Sequence, residues 1–193
     1  MGRRAIIMDR DGTVCEEVGY VNHVDRLRLL PRSGEAIRKA NDAAFQTVVV
    51  TNQAGVARGY FAETLVDEVH DRLREMLASE GARLDGIYYC PHHPEVGAPA
   101  YRKVCDCRKP KPGMLLRAQD EMGIDLAASY MVGDSVRDIE AGRRAGATTV
   151  LVLTGYGKGE LEHQSHAWSS RPDHVATDLL DAVSWILERE AAR

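Results

Sequence analysis

The sequence predicts an α/β fold, a three-layer, doubly wound parallel sheet formed by a single domain over residues 1–193. The chain has 193 residues, of which 44% are hydrophobic and 28% are charged, a composition typical of one soluble globular domain. Apolar or β-branched runs, such as residues 4–8 and 47–51, alternate along the chain with segments of helical periodicity. Strands that alternate with helices form parallel sheets that are covered on both faces.

Six short runs predict the strands, because each is apolar or β-branched and ends at a polar or glycine-containing turn. The first ends at Asp9 and the second at Thr51. In chain order, the predicted strands cover residues 4–8, 47–51, 86–89, 129–133, 147–154 and 174–176. The carboxyl ends of parallel strands meet at one edge of the sheet, which is where such folds bind ligands.

Five helical segments follow these strands. Ser33 is predicted to cap the first, and the second carries apolar residues at spacings of three and four before it ends at Gly81. In chain order, the predicted helices cover residues 34–44, 61–80, 112–122, 135–145 and 178–190. Residues 157–171 are polar and aperiodic, which predicts a surface loop. No large helical insertion follows the first or second strand, so we expect no large cap domain.

Charge and hydropathy patterning exclude several classes of function. The chain has 25 lysines and arginines against 29 aspartates and glutamates, a net charge of -4, which argues against a nucleic-acid partner. The apolar run near the N-terminus is too short for a signal peptide or a membrane span. We therefore expect a cytoplasmic protein that binds neither membranes nor nucleic acids. We also expect a monomer that acts on a small molecule.

Acidic residues follow two of the predicted strands. Asp9 and Asp11 follow the first strand, and Asp134 and Asp138 follow the fourth. Clustered carboxylates repel one another unless a cation lies among them, and oxygen ligands suit Mg²⁺. One such acid alone could simply cap a helix, but the combined pattern favours a catalytic site. An aspartate there can attack phosphorus, while a second acid protonates the leaving alkoxide and later takes a proton from water.

A proline-rich segment, residues 90–112, contains three of the four cysteines and is predicted to be a zinc-binding loop after the third strand. Its candidate ligands are Cys90, His92, Cys105 and Cys107. They form a C-x-H pair and a C-x-C pair, which together supply the closed tetrahedral ligand set of a structural Zn²⁺. A loop of this length needs a constraint other than the core, and zinc supplies one. The alternative is a group of buried free cysteines, and His93 is a possible substitute ligand.

Four segments follow one another along the chain: Asp9-Arg-Asp-Gly-Thr13, Thr51, Lys109, and Gly133-Asp134 with Asp138. Taken in this order, they resemble the motifs of the haloacid dehalogenase (HAD) phosphatase superfamily. The resemblance spans the whole chain and implies that Asp9 is the nucleophile and Asp11 the general acid and base. It also implies that Thr51 and Lys109 bind phosphate. The implied Mg²⁺ ligands are Asp9, the Asp11 carbonyl and Asp134, with Asp138 as a supporting acid.

Within this superfamily, the cysteine-containing segments resemble a zinc-containing branch that includes heptose bisphosphate phosphatases and histidinol-phosphate phosphatases. Residues 19–21 and 51–59 resemble the heptose enzymes closely. The resemblance implies removal of the 7-phosphate of a heptose 1,7-bisphosphate, in the route to the nucleotide-activated heptose of a bacterial cell surface. The implied substrate-binding residues are Gly19, Tyr20, Thr51, Asn52, Gln53, Arg58, Arg108 and Lys109.

Other functions remain open from the sequence. A histidinol-phosphate phosphatase would use the same catalytic acids, and Arg108 is compatible with either substrate, because it could bind a second phosphate or simply be solvated. Repair of phosphorylated DNA ends would need a basic groove, which the net charge argues against. A catalytically inactive, zinc-stabilised binding module would be expected to lack Asp9 or Asp11, and both are present.

Overall fold

Six parallel strands form one sheet in the computed structural model, which describes residues 2–192. The strands are β1 (Ala5–Met8), β2 (Gln46–Asn52), β3 (Gly86–Cys90), β4 (Tyr130–Gly133), β5 (Thr148–Val152) and β6 (His174–Ala176). Their spatial order is β3-β2-β1-β4-β5-β6. The predicted doubly wound parallel sheet is therefore confirmed.

The position of the central strand β1 determines where a ligand-binding crevice forms, at the carboxyl edge of the sheet. Its last residue, Met8, pairs with Val49 of β2 on one side and with Val132 of β4 on the other. All four residues of β1 are fully buried, because both faces of the sheet are covered by helices. The strand order reverses at β1, and this switch point is where open α/β sheets bind ligands.

Helices cover both faces of the sheet and complete the predicted three layers. Across residues 2–192 they are α1 (Ser33–Asp42), α2 (Glu63–Ser79), α3 (Gly113–Met122), α4 (Val136–Ala145), α5 (Gly157–His163) and α6 (Leu179–Ala191). One apolar core lies between the sheet and α1, α2 and α6, and a second lies between the sheet and α3 and α4. None of these helices is long and apolar enough to cross a membrane.

The carboxyl edge of the sheet carries loops in place of a helical cap. Between β1 and α1, residues 9–32 contain a single 3-10 turn, at Val24–Arg26, and the described segment between β2 and α2 contains no helix. The expectation that no large cap domain covers the site is therefore confirmed for residues 2–192. Loops roof the site instead.

Two local predictions are wrong. Ser33 does not cap α1, because Arg32 precedes the helix in the left-handed conformation (φ 66°) and Ser33 is itself the first helical residue. Residues 157–171 are not all loop, because α5 forms within them. A tertiary contact stabilises this short helix: Glu160 accepts a 2.7 Å hydrogen bond from the backbone amide of Val136.

Candidate active site

Three carboxylates converge where β1 and β4 end. Asp9 directly follows β1, Asp134 directly follows β4, and Asp138 lies in the first turn of α4. Each offers an oxygen within 4.8 Å of oxygens of the other two. The adjacent strands fix this approach, because the backbone amide of Asp9 donates a 3.0 Å hydrogen bond to the carbonyl oxygen of Val132.

Among residues 2–192, Lys109 provides the one ammonium group in contact with this cluster. Its buried Nζ lies 2.9 Å from Asp9 Oδ1 and 2.6 Å from Asp138 Oδ1, and it donates a 2.8 Å hydrogen bond to the carbonyl oxygen of Val50. The side chain of Asn52 holds the Lys109 backbone at both ends: Nδ2 donates to the carbonyl oxygen and Oδ1 accepts from the amide, each at 3.1 Å. The end of β2 thereby fixes the position of Lys109 beside Asp9.

The electrostatics of the cluster favour a divalent cation. Burial raises the pKa of Asp9 to about 7 against the attraction of Lys109, and repulsion from Asp138 adds to the rise. Burial and repulsion from Asp9 and Asp138 also raise the pKa of Asp134 to about 8. One ammonium cannot balance three carboxylates. The residues present therefore fit Mg²⁺, which takes a few carboxylate ligands and keeps several waters.

Asp11 lies apart from the three clustered carboxylates, in a separate set of contacts. Arg10 holds its carboxylate with two hydrogen bonds, from Nε at 3.0 Å and from Nη2 at 2.8 Å. Gln53 Nε2 donates a third, at 2.9 Å, and also donates to Thr51 Oγ1 at 2.8 Å. Arg10 is itself buried, with Nη1 3.3 Å from His70 Nε2. Asp11 is thus anchored beside the site by groups that are themselves fixed.

Gly12 allows the loop after β1 to pass close to Asp134. Its φ is +85°, in the left-handed region that favours glycine, and a Cβ here would lie 2.1 Å from Asp134 Oδ2. Thr154 Oγ1 donates a 2.6 Å hydrogen bond to the Gly12 carbonyl oxygen, and the Tyr156 amide donates a 2.8 Å hydrogen bond to Asp134 Oδ2. The loop between β5 and α5 thereby fixes both sides of this close approach.

A second cluster, of three cysteines and one histidine, lies in the loop after β3. Cys107 Sγ lies 3.0 Å from Cys90 Sγ, 3.3 Å from Cys105 Sγ and 3.3 Å from His92 Nδ1. Around a tetrahedral zinc with Zn–S bonds of about 2.3 Å, sulfur atoms lie about 3.8 Å apart. The hydrogen bond between Cys107 and Cys90 lowers the pKa of Cys107 to about 5, towards the thiolate form that metals bind. The donor set therefore fits zinc, and the sulfur atoms lie closer together here than they would around the bound ion.

His93, the substitute ligand that the sequence suggests, lies outside this cluster, and so does Cys15, the fourth cysteine. His93 Nδ1 accepts hydrogen bonds from the backbone amides of Glu95 and Val96, while Nε2 lies 3.2 Å from Arg58 Nη2. Cys15 is fully buried in the apolar core, and burial raises the pKa of its thiol. Neither residue is placed to complete a metal site.

A cavity of about 240 Å³ opens above the carboxylates. Residues at the carboxyl ends of β1, β2 and β4 form its floor, and the loop after β3 forms one wall. The sequence-predicted residues that line it are Asp9, Asp11, Gly19, Tyr20, Thr51, Asn52, Gln53, Arg108, Lys109, Asp134 and Asp138. Arg58 is not among the lining residues, because its guanidinium lies against His93.

Known proteins share both this sequence and this fold. Residues 106–182 match a family model described as HAD-hydrolase-like. A D-glycero-D-manno-heptose-1,7-bisphosphate 7-phosphatase of Thermosynechococcus vestitus is 43% identical over 197 residues, which cover 100% of both chains. The chain belongs to this family of HAD phosphatases.

Further members of the heptose bisphosphate phosphatase family support the same assignment. The D-glycero-beta-D-manno-heptose-1,7-bisphosphate 7-phosphatase of Escherichia coli is 48% identical over 152 residues, which cover 78% of this chain and 80% of that protein. A crystal structure of D,D-heptose 1,7-bisphosphate phosphatase from B. bronchiseptica, complexed with magnesium and phosphate, matches with a TM-score of 0.85 and 35% identity. That match covers 96% of this chain and 99% of the other.

Several residues at the site of this heptose bisphosphate phosphatase family member are not evident from the sequence. Glu17, Ala54, Ser135, Arg137 and Tyr156 also line the cavity. Ala54 lies within residues 51–59, and Ser135 and Arg137 lie between Asp134 and Asp138, but the sequence predicts no role in chemistry for any of the five. The one signal that could have identified Ser135 and Arg137 is their position one and three residues after Asp134, at the start of a predicted helix.

Proposed function

We propose that the chain is a Mg²⁺-dependent phosphatase that removes the 7-phosphate of D-glycero-D-manno-heptose 1,7-bisphosphate through an aspartyl-phosphate intermediate. The observation that carries this proposal is the contact of Asp9 with buried Lys109 beside two further carboxylates, at the switch point of the sheet. The names of the relatives at 40–48% identity support the choice of substrate over histidinol phosphate.

In the first half of the proposed reaction, a carboxylate oxygen of Asp9 attacks phosphorus and the bond between phosphorus and O7 breaks. Protonated Asp11 donates its proton to O7, which gives heptose 1-phosphate and leaves the phosphoryl group on Asp9. Lys109 and Thr51 line the cavity, where the ammonium and the hydroxyl can bind phosphoryl oxygens. Asn52 and Gln53 have positioning roles, since Asn52 holds Lys109 in place and Gln53 holds Asp11.

In the second half, water attacks the aspartyl-phosphate while Asp11 takes up its proton. Inorganic phosphate leaves, and the carboxylate of Asp9 and the protonated Asp11 are restored. When bound by Asp9, the Asp11 carbonyl and Asp134, with Asp138 in support, Mg²⁺ supplies positive charge that offsets these carboxylates and the phosphoryl oxygens. Because one chain supplies every residue named here, we propose that a monomer is sufficient, acting in the cytoplasm on a phosphorylated sugar.

The substrate assignment is tested by initial rates of phosphate release with Mg²⁺ present. We expect kcat/KM for heptose 1,7-bisphosphate to exceed that for histidinol phosphate by about tenfold or more, because a site that binds the spared phosphate discriminates strongly. Phosphorus NMR of the product should show the 1-phosphate retained. Equal rates on the two substrates, or release of the 1-phosphate first, would contradict the assignment.

We also propose one structural Zn²⁺ per chain, bound by Cys90, His92, Cys105 and Cys107. Cys107→Ser is expected to lose the metal and to lower the melting temperature by roughly 5 °C or more, because the zinc holds a long loop that has little core of its own. Activity should fall as well, since Arg108 and Lys109 follow Cys107 directly. Elemental analysis measures the zinc content, and Cys15→Ser should retain it. Protein purified without chelator that contains no zinc would overturn the proposal.

A further inference from the structure

The segment that leads from β5 into α5 packs directly against Asp134. The backbone amide of Tyr156 donates a 2.8 Å hydrogen bond to Asp134 Oδ2, and a Cβ on Gly155 would overlap that same oxygen. A Cβ on Gly157, the first residue of α5, would lie 3.3 Å from the Asp134 carbonyl oxygen. The helix α5 therefore begins in contact with a residue of the carboxylate cluster.

The carboxylate of Glu160, three residues into α5, contacts the turn between Asp134 and Asp138. Its Oε2 accepts a 2.7 Å hydrogen bond from the backbone amide of Val136. The hydroxyl of Ser135 lies within donating distance of both carboxylate oxygens, 3.1 Å from Oε1 and 3.3 Å from Oε2. One side chain of α5 thus holds the two residues that directly follow Asp134.

Ser135 connects Glu160 to the carboxylate cluster. It follows Asp134 in the chain, and its backbone amide donates a 3.1 Å hydrogen bond to Asp138 Oδ2. Ser135 and Asp138 are both buried, whereas Glu160 is partly exposed and does not line the cavity. Glu160 therefore acts on the cluster through Ser135, and a shift of Ser135 would displace Asp134 and Asp138 together.

Three roles for Glu160 make different predictions. Glu160 could serve only to anchor α5, a helix of seven residues that includes Gly157 and Gly159. It could instead contribute only a negative charge near the cluster, which would attract a cation from any nearby position. In the third role, its reach from α5 to Ser135 and Val136 keeps the turn in place, so the length of the side chain matters more than its charge.

We propose that Glu160 is a positioning residue for the Mg²⁺ site, because it holds the turn that carries Asp134 and Asp138. This inference rests on the proposed function. Mg²⁺ tolerates little departure from its preferred coordination geometry, so a small displacement of its ligands lowers affinity. Residues that fix metal ligands through hydrogen bonds typically change metal affinity or activity by about 10- to 100-fold when they are replaced.

The test is calorimetric titration of the protein with Mg²⁺ alone, without substrate. Glu160→Asp keeps the charge but is one methylene too short to reach the turn, whereas Glu160→Gln keeps the length and one acceptor oxygen. We expect the Kd for Mg²⁺ to rise about tenfold or more in Glu160→Asp and in Glu160→Ala. Glu160→Gln should lie closer to the unmodified protein. Phosphatase activity of Glu160→Asp should recover as the Mg²⁺ concentration is raised.

The matched control is Glu162→Asp, which shortens an exposed glutamate of the same helix and should leave the Kd unchanged. Melting temperatures of the metal-free variants measure the anchoring of α5 separately. An unchanged Kd in Glu160→Asp and Glu160→Ala, whatever their melting temperatures, would overturn this inference alone. A Kd raised in Glu160→Gln but not in Glu160→Asp would also overturn it, in favour of charge. If the unmodified protein bound no Mg²⁺, the proposed function would fail with it.

Discussion

Asp9→Asn is expected to abolish phosphatase activity, with kcat reduced by about 10⁴-fold or more. The amide cannot attack phosphorus, and it also removes one anionic oxygen from the carboxylate cluster. Asp11→Asn should be nearly inactive as well, yet it should still bind phosphate, because Asp9 and Lys109 remain in contact. Initial rates with heptose 1,7-bisphosphate and Mg²⁺ measure both effects, and phosphate titration measures the second.

Asp25→Asn is the control for the nucleophile variant, because the side chain of Asp25 is 85% exposed and lies in the 3-10 turn at Val24–Arg26. It should retain full activity. If Asp9→Asn kept more than about a tenth of the unmodified rate, the covalent route would be excluded, since loss of an acting nucleophile costs several kcal/mol of transition-state stabilisation.

Lys109→Met should cause the second large loss, in stability as well as in activity. The ammonium is buried between Asp9 and Asp138, and its removal leaves these two carboxylates, of which Asp138 is fully buried, without their cationic partner. Breaking a buried ion pair from one side costs roughly 3–5 kcal/mol of unfolding free energy. Phosphoryl transfer should fall by roughly 10²-fold or more, because the variant also lacks a cation for the phosphoryl oxygens. Denaturant unfolding and initial rates measure the two effects.

Lys111→Met is the matched control, since Lys111 lies two residues further along the same loop. Its Nζ is 3.1 Å from Asp106 Oδ1, and Asp106 is 92% exposed, so the pair contributes little to stability. We expect unchanged activity and less than about 1 kcal/mol of destabilisation. If Lys109→Met unfolded at the same denaturant concentration as this control, the role assigned to the buried ammonium would be wrong.

The fold can be predicted from the sequence because its strands are short and apolar and are separated by helices with regular apolar spacing. The first strand shows this well: its apolar run stops at Asp9, so both the element and the residue that follows it can be read directly. The helix α5 cannot be predicted from the sequence pattern in this way. It has seven residues, two of which are glycines, and Glu160 is tied to α4 by a tertiary contact that no local pattern encodes.

The candidate site, like the fold, is only partly predictable from the sequence. The acids at strand ends and the four candidate zinc ligands are close in space because topology brings strand ends and loop ends together. The resemblance predicts that Arg58 binds substrate, yet its guanidinium lies against His93, since loop conformation decides where a long side chain points. Glu17 and Arg137 cannot be assigned to the cavity from the sequence, because only the folded loops bring them there.

The position of β1 between β2 and β4 has a consequence for synthesis of the chain. One edge of β1 can be covered once β2 has been made, but the other waits for β4, which follows more than a hundred residues later. At ordinary rates of translation, this interval lasts on the order of 10 s. During it the nascent chain carries an apolar strand with an unpaired edge, a state prone to association with other chains. Chaperone binding to the emerging N-terminal half would shield that edge until Asp134 arrives beside Asp9.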